Sequence, residues 1–153
     1  TPVFGRRLFV SILTQFPEEA ELGVVRLGGR PIAAALLVHG NGMTEVPSAS
    51  SLRKFNSTNA NMLMYWHMLR RAIERSQEVF DFGRSSHESN TYRFKKQWGA
   101  RPEPAVWQYY VRTGTAGDMR IESGKYDRLI RLWRRLPVGL TRLIGPAIVR
   151  GIP

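Results

Sequence analysis

The chain has 153 residues, 42% of them apolar, no cysteine, and a formal net charge of +11. That length suits one domain of ordinary size with a buried core. The missing cysteines exclude disulfides, zinc–thiolate sites and cysteine nucleophiles, and the basic excess favours polyanionic partners such as tRNA, anionic lipid headgroups or nucleotide-linked substrates.

Leu8, Phe9, Ile12, Leu13 and Phe16 recur at helical spacing, and Pro17 ends the pattern. Residues 22–28 read as a strand, Gly28-Gly29 as a tight turn and Pro31–Val38 as a continuous apolar strand. Gly40-Asn41-Gly42 makes the next turn, because glycine and asparagine tolerate positive φ, and Met43–Ser48 is the third strand of an antiparallel meander. A polar segment runs from Ala49 to Thr58, and Thr58 or Asn59 can cap a helix over Ala60–Ser76. In that helix Met62, Tyr65, Trp66, Leu69 and Ile73 form a stripe, widened by Leu63, Met64, Met68 and Ala72, so its first half is expected to be buried. Strand Val79–Gly83, helix Thr91–Trp98 and strand Ala105–Arg112 complete the order αβββαβαβ.

That order is similar to the GNAT acetyltransferase fold, an α/β mixed sheet with an antiparallel meander flanked by helices. Residues 1–118 are expected to form this domain and residues 119–153 a basic amphipathic helical segment. The latter hold eight basic residues against two acidic ones, so +6 of the +11 lies there. Tyr126, Leu129, Ile130 and Trp133 make one apolar stripe and Leu140, Leu143, Ile144, Ala147 and Ile148 another, with Pro137 and Gly145-Pro146 expected to interrupt them. Such a segment packs on the domain or on a missing lobe, or lies on a membrane surface. With no leader and no run of 18 apolar residues, the expected place is the cytoplasm, with the inner membrane face as a further option. A start at Thr1 instead of methionine suggests a trimmed chain or part of something larger.

The chemistry concentrates in Val79–Gly99. Asp81-Phe82-Gly83 spells the kinase metal-binding tripeptide, but the glycine-rich loop, strand lysine and His-Arg-Asp loop of a kinase are missing. His39, His67 and His87 have no metal-ligand spacing: His39 ends a strand, His67 sits among residues expected to be buried, and His87 is a second-rank base. Strand alternation turns Asp81 away from Phe80 and Phe82, with Arg84 as its nearest cationic partner in sequence. Tyr92, Lys95 and Lys96 share one helix face, where the two ammonium groups repel unless an anion lies beside them. The segment Phe55–Asn61 before the long helix lacks glycine, which argues against close approach of a coenzyme A pyrophosphate there, though not against the fold.

Several stretches together resemble the Fem family of aminoacyl transferases, and most closely the FemAB-like proteins of the PEP-CTERM/exosortase system. They are Val46–Arg53, Asn61–Trp66, Phe80–Ser85, Thr91–Ala100, Trp107–Tyr110 and the closing Leu143–Pro146. The resemblance implies paired GNAT-like lobes, this chain being the C-terminal one, with a further N-terminal lobe as partner. It also implies transfer of an acyl or aminoacyl group to an amine in cell-envelope or exopolysaccharide-related metabolism. The donor would be aminoacyl-tRNA or acyl-CoA. In Fem transferases the lysine of the Phe-Lys pair stabilises charge at the reacting end of the tRNA, and that position here is Lys95. Lys95, Asp81 and Arg84 are therefore the catalytic candidates, and Ser48, Asn59, Asn61, Tyr92, Lys96 and Trp98 the substrate-binding ones, with no metal. The alternative is a non-catalytic lobe that binds an anionic glycan, lipid or RNA.

Overall fold

The computed structural model describes residues 4–106, 108, 110, 112, 131–133 and 135–149. They fall in two compact units, Phe9–Arg101 and Thr1–Leu8 with Pro102–Pro153. In chain order the elements are α1 (Arg6–Gln15), β1 (Ala20–Leu27), β2 (Arg30–Gly40), β3 (Met43–Ser51), a 3₁₀ stretch (Arg53–Thr58), α2 (Ala60–Glu74), β4 (Val79–Asp81), α3 (Asn90–Gln97) and α4 (Val138–Val149).

The larger unit is built on a four-stranded sheet in the order β1-β2-β3-β4. Both meander turns form where expected, and Gly28, Gly29, Asn41 and Gly42 all take positive φ. β1, β2 and β3 pair antiparallel, whereas β4 pairs parallel to β3 over Met43–Glu45 only. β3 then continues to Ser51, so the two strands part beyond Glu45 and Asp81. This parting opens the space described below.

One sheet face supplies Ala33, Ala35, Leu37 and Val46 to the core, and α2 covers it with Ala60, Met64, Tyr65 and Met68. Only this row of α2, continued by Ala72, is buried. Met62, Leu63, Trp66 and Ile73 are 39, 55, 51 and 75% exposed, so the expected burial of the helix's whole first half does not hold. The reason is geometric: the apolar girdle is wider than the single face a helix can lay on a sheet. His67 is likewise exposed and not among buried neighbours. Arg70 covers the Trp66 ring, its guanidinium 5.3 Å from the centroid.

Two further expectations change. Among the described residues of 105–112 no strand forms, and Val106 and Tyr110 are 85 and 95% exposed, while residues 107, 109 and 111 of the expected strand lie outside the described residues. In the other unit α4 runs through Pro146 instead of breaking at Gly145-Pro146. A proline within a helix removes one hydrogen bond, a loss this helix absorbs. Leu143, placed in its apolar stripe, is 78% exposed. About half of residues 119–153, including the Tyr126, Leu129 and Ile130 part of the first stripe, lie outside the described residues. No described helix is long and apolar enough to cross a membrane.

Candidate functional site

A cleft of about 430 Å³ opens where β3 runs on past β4. The end of β3 contributes Ala49, Ser50 and Ser51, and the 3₁₀ stretch contributes Phe55 and Asn56. The start of α2 brings Asn59, Ala60, Asn61, Met62 and Tyr65. The start of α3 brings Asn90, Thr91, Phe94 and Lys95. Among the described residues no carboxylate lines the cleft.

Two helix N-termini therefore meet at one space. Each carries a partial positive charge from its unpaired first-turn N–H groups. Asn59 is the N-cap residue of α2 by position, yet its side chain makes no cap bond, and the Thr58 hydroxyl turns instead to the Phe55 carbonyl at 2.7 Å. Asn59 also adopts the left-handed conformation, φ 53°. Asparagine thus makes the bend for which glycine was missed, because its side chain tolerates that region. At α3, Ser89 Oγ accepts the Tyr92 N–H at 3.1 Å and caps the helix.

Lys95 is the one cation among the described residues that line the cleft. Its Nζ donates to the Gly83 carbonyl at 2.7 Å and to the Arg84 carbonyl at 2.9 Å. Burial pushes its pKa below the ordinary lysine value, and the charge of Asp81 partly offsets this. Asp81 in turn accepts the Gly83 N–H on Oδ1 at 2.7 Å. Asp81, Gly83 and Lys95 therefore interlock, and the turn holds the lysine at the cleft wall.

The structure brings Asn59, Asn61 and Lys95 together, while the other candidates stand outside the lining. Asp81 and Arg84 sit behind Lys95, through the Gly83–Arg84 turn. Tyr92 and Lys96 pair on α3, the Lys96 ammonium 6.0 Å from the ring centroid. Trp98 packs against the core, and Ser48 lies within β3 opposite Leu36. Sequence reasoning missed Ser50, Ser51, Phe55, Asn56, Tyr65, Asn90 and Thr91. Tyr65 is the most telling of these. Its ring stacks on Phe82 at 5.8 Å and meets Phe94 edge-on at 4.9 Å, and burial raises its phenol pKa, so the hydroxyl stays protonated at neutral pH.

A second polar cluster lies at the C-terminal half of α2. Glu21 takes a two-pronged hydrogen bond from Arg71, at 2.9 and 2.7 Å, and another from Arg75. His39, 4% exposed, shares a 2.8 Å hydrogen bond through Nδ1 with the buried Thr44 hydroxyl, and its Nε2 is 3.6 Å from Glu21. Strand parity places Glu21 and His39 on the α2 side of the sheet, and the i, i+4 spacing of Arg71 and Arg75 was the readable signal for it. Among the described residues no group of three or more potential metal ligands gathers.

No curated protein matches the chain in sequence. Solved structures do resemble it. AAC(6')-Iy, in complex with the bisubstrate analog CoA-S-monomethyl-acetylneamine, aligns at TM-score 0.60 and 11% identity over 73% of this chain and 84% of its own. A transcriptional regulator from Bacillus halodurans C-125 aligns at 0.56 and 11% identity, over 69 and 76%. The aminoglycoside 6'-N-acetyltransferase AAC(6')-IG from Acinetobacter haemolyticus, without ligand, aligns at 0.53 and 13% identity, over 71 and 82%. At such identities the likeness concerns the fold. The profile of the acetyltransferase (GNAT) domain matches residues 1–96. With well over half its length matched and the sheet and helices in the corresponding order, the chain belongs to the GNAT acetyltransferase family and is a transferase of the N-acyltransferase class.

Proposed function

We propose that the chain moves an acyl group from a phosphate-bearing carrier to an amine, as an N-acyltransferase of Fem type in cell-envelope or exopolysaccharide-related metabolism. The observation that carries this reading is the cleft itself. Two helix N-termini and Lys95 line it and, among the described residues, no carboxylate does, which suits an anionic carrier and disfavours a polycationic ligand. The AAC(6')-Iy structure holds an analog containing coenzyme A, which makes acyl-CoA the first donor to test. The resemblance of Thr91–Ala100 to Fem proteins and the +11 charge support aminoacyl-tRNA as the second.

The carrier supplies the activated acyl carbon; the residues of this chain hold it and stabilise charge. An amide C–N bond forms as the carrier's C–S or C–O bond breaks, with the electron pair leaving on sulfur or oxygen and the amine's proton ending there. Charge builds on the carbonyl oxygen as the amine attacks, and a fixed N–H donor aimed at it gives the largest single assistance. Lys95 has three ammonium hydrogens, two of which the Gly83 and Arg84 carbonyls engage, so one is left for that oxygen. Asp81 and Arg84 act as positioning residues through the turn that fixes the lysine. Asn59 and Asn61 hold the carrier at the start of α2, and Ser48, Tyr92, Lys96 and Trp98 serve the acceptor side or the packing of α3.

The direct test is donor use. The full chain is incubated with acetyl-CoA or aminoacyl-tRNA and a panel of amines, with release of thiol or deacylated tRNA followed. Amine-dependent release from either donor supports the reading. Tight binding of anionic glycan, lipid or RNA without turnover of any donor would instead favour a non-catalytic lobe.

A further inference from the structure

We infer that Lys95 is an acyl-acceptor site of the chain itself. With no acceptor amine bound, its Nζ takes the acyl group of an activated ester or thioester held in the cleft, and the amide so formed shuts the site down. This rests on the donor reading above. Lys95 lines the cleft, and its Nζ donates to two carbonyls of one turn, Gly83 at 2.7 Å and Arg84 at 2.9 Å. A neutral amine has two hydrogens and one lone pair. Both hydrogens keep those bonds, which leaves the tetrahedral lone pair directed away from the turn. The turn lies behind Lys95 at the cleft wall, so the open side of the nitrogen is the side of the cleft.

The surroundings favour that neutral form. Among the described residues no carboxylate lines the cleft, and the polar groups that α2 brings are Asn59, Asn61 and the Tyr65 phenol, which burial keeps protonated. Asp81, on the far side of the turn, is the charge that opposes the effect of burial on the lysine. Arg84 on the turn and Lys96 next along α3 add only like charge. Lysines whose charge burial suppresses are the ones that act as nucleophiles. Lys54 and Lys96 differ: both are exposed, and each stands over a ring, Phe55 at 5.2 Å and Tyr92 at 6.0 Å.

In the step, the Nζ lone pair attacks the acyl carbon and a C–N amide bond forms. The carrier's C–S or C–O bond breaks, its electron pair stays on sulfur or oxygen, and one Nζ proton ends there. The product amide has one N–H where the amine had two, so one of the two bonds to the turn is lost. The ammonium charge is gone as well, and the acyl group fills part of the cleft. An acceptor amine that arrives first takes the acyl group instead, so the modification marks a chain that held donor without acceptor.

The test incubates the full chain with acetyl-CoA alone, or with aminoacyl-tRNA alone, and locates acylated lysines by peptide mass spectrometry. The donor that labels tells a thioester source from a tRNA ester. One acyl group is expected on Lys95, with Lys54 and Lys96 labelled at least about tenfold more slowly, because only Lys95 meets the acyl carbon in a held geometry. Labelling of Lys95 rises about tenfold per pH unit until the amine is fully deprotonated. Preincubation with donor alone lowers later turnover of donor and amine in proportion to the label on Lys95. Equal labelling of the three lysines is reaction from bulk solution and overturns the inference. So does an unlabelled Lys95 in a chain that turns over donor with an added amine, and there the donor reading stands. A chain that carries no label and turns over neither donor overturns both.

Discussion

Lys95 illustrates how one side chain can be both fastening and candidate catalyst. Its two hydrogen bonds to the Gly83 and Arg84 carbonyls fasten α3 to the turn after β4, and the same ammonium forms part of the cleft wall. If the remaining N–H serves the developing oxyanion, Lys95→Ala lowers kcat about 100-fold, the lower end for removing such a donor, with donor affinity changed only a few-fold. Steady-state kinetics beside a direct binding titration separate the cases. A parallel fall in affinity and kcat, accompanied by a lowered melting temperature, would leave the lysine a fastening alone. The turn it grips depends on Gly83, which has φ +73°. A Cβ there would sit 3.6 Å from the Val46 carbonyl, an ordinary contact, so the cost of a side chain lies in the backbone and not in a clash. Gly83→Ala should therefore destabilise by about 1–2 kcal/mol in a denaturant titration. No measurable loss would mean that the turn relaxes to another conformation.

Among the elements, α3 is the one whose placement decides the cleft. It is only eight residues long, and isolated helices of that length are not stable in water. Tertiary packing must hold it, and it does so through Phe94 and Trp98, whose rings lie 4.9 and 6.4 Å from that of Tyr65. Phe94→Ala should cost about 3 kcal/mol, while loss of the cap in Ser89→Ala should cost about 1 kcal/mol. Hydrogen exchange on α3 amides reports both, and a cap effect larger than the packing effect would contradict this ranking. The meander and the two central helices were legible because turn residues and apolar periodicity act locally. Which row of α2 faces the sheet was not, since Met62, Trp66 and Ile73 are as apolar as Met64 and Met68 and only the sheet chooses between them. Most of the cleft escaped for a related reason. Phe55, Tyr65 and Asn90 lie on three separate elements and converge only because β3 outlasts β4. Lys95 was readable, because its neighbours in sequence already marked a crowded helix face.

At the scale of the whole molecule, the cluster joining β1, β2 and α2 makes stability depend on pH in two steps. His39 is held below its ordinary pKa of 6.5, first by burial and then by the Arg75 charge, with Glu21 opposing and Arg71 adding to the effect. The folded chain thus binds this proton less readily than the unfolded one, so stability present above about pH 6.5 declines as pH falls through the folded value. Glu21 is held down at about 2, chiefly by its hydrogen bonds from Arg71, against 4.5 when free. Its contribution is complete above pH 4.5 and is lost as pH falls towards 2. The side chain is 24% exposed and screened by solvent on one side, so the effect is read as a slope and not as a fixed energy. Melting temperature against pH should fall gently below about 6.5 and more steeply below 4.5. Glu21→Gln should flatten the lower limb and His39→Gln the upper one. If Glu21→Gln left the acid limb unchanged, the strand–helix junction would owe its stability to apolar packing, and the arginine pair would be left without a structural role.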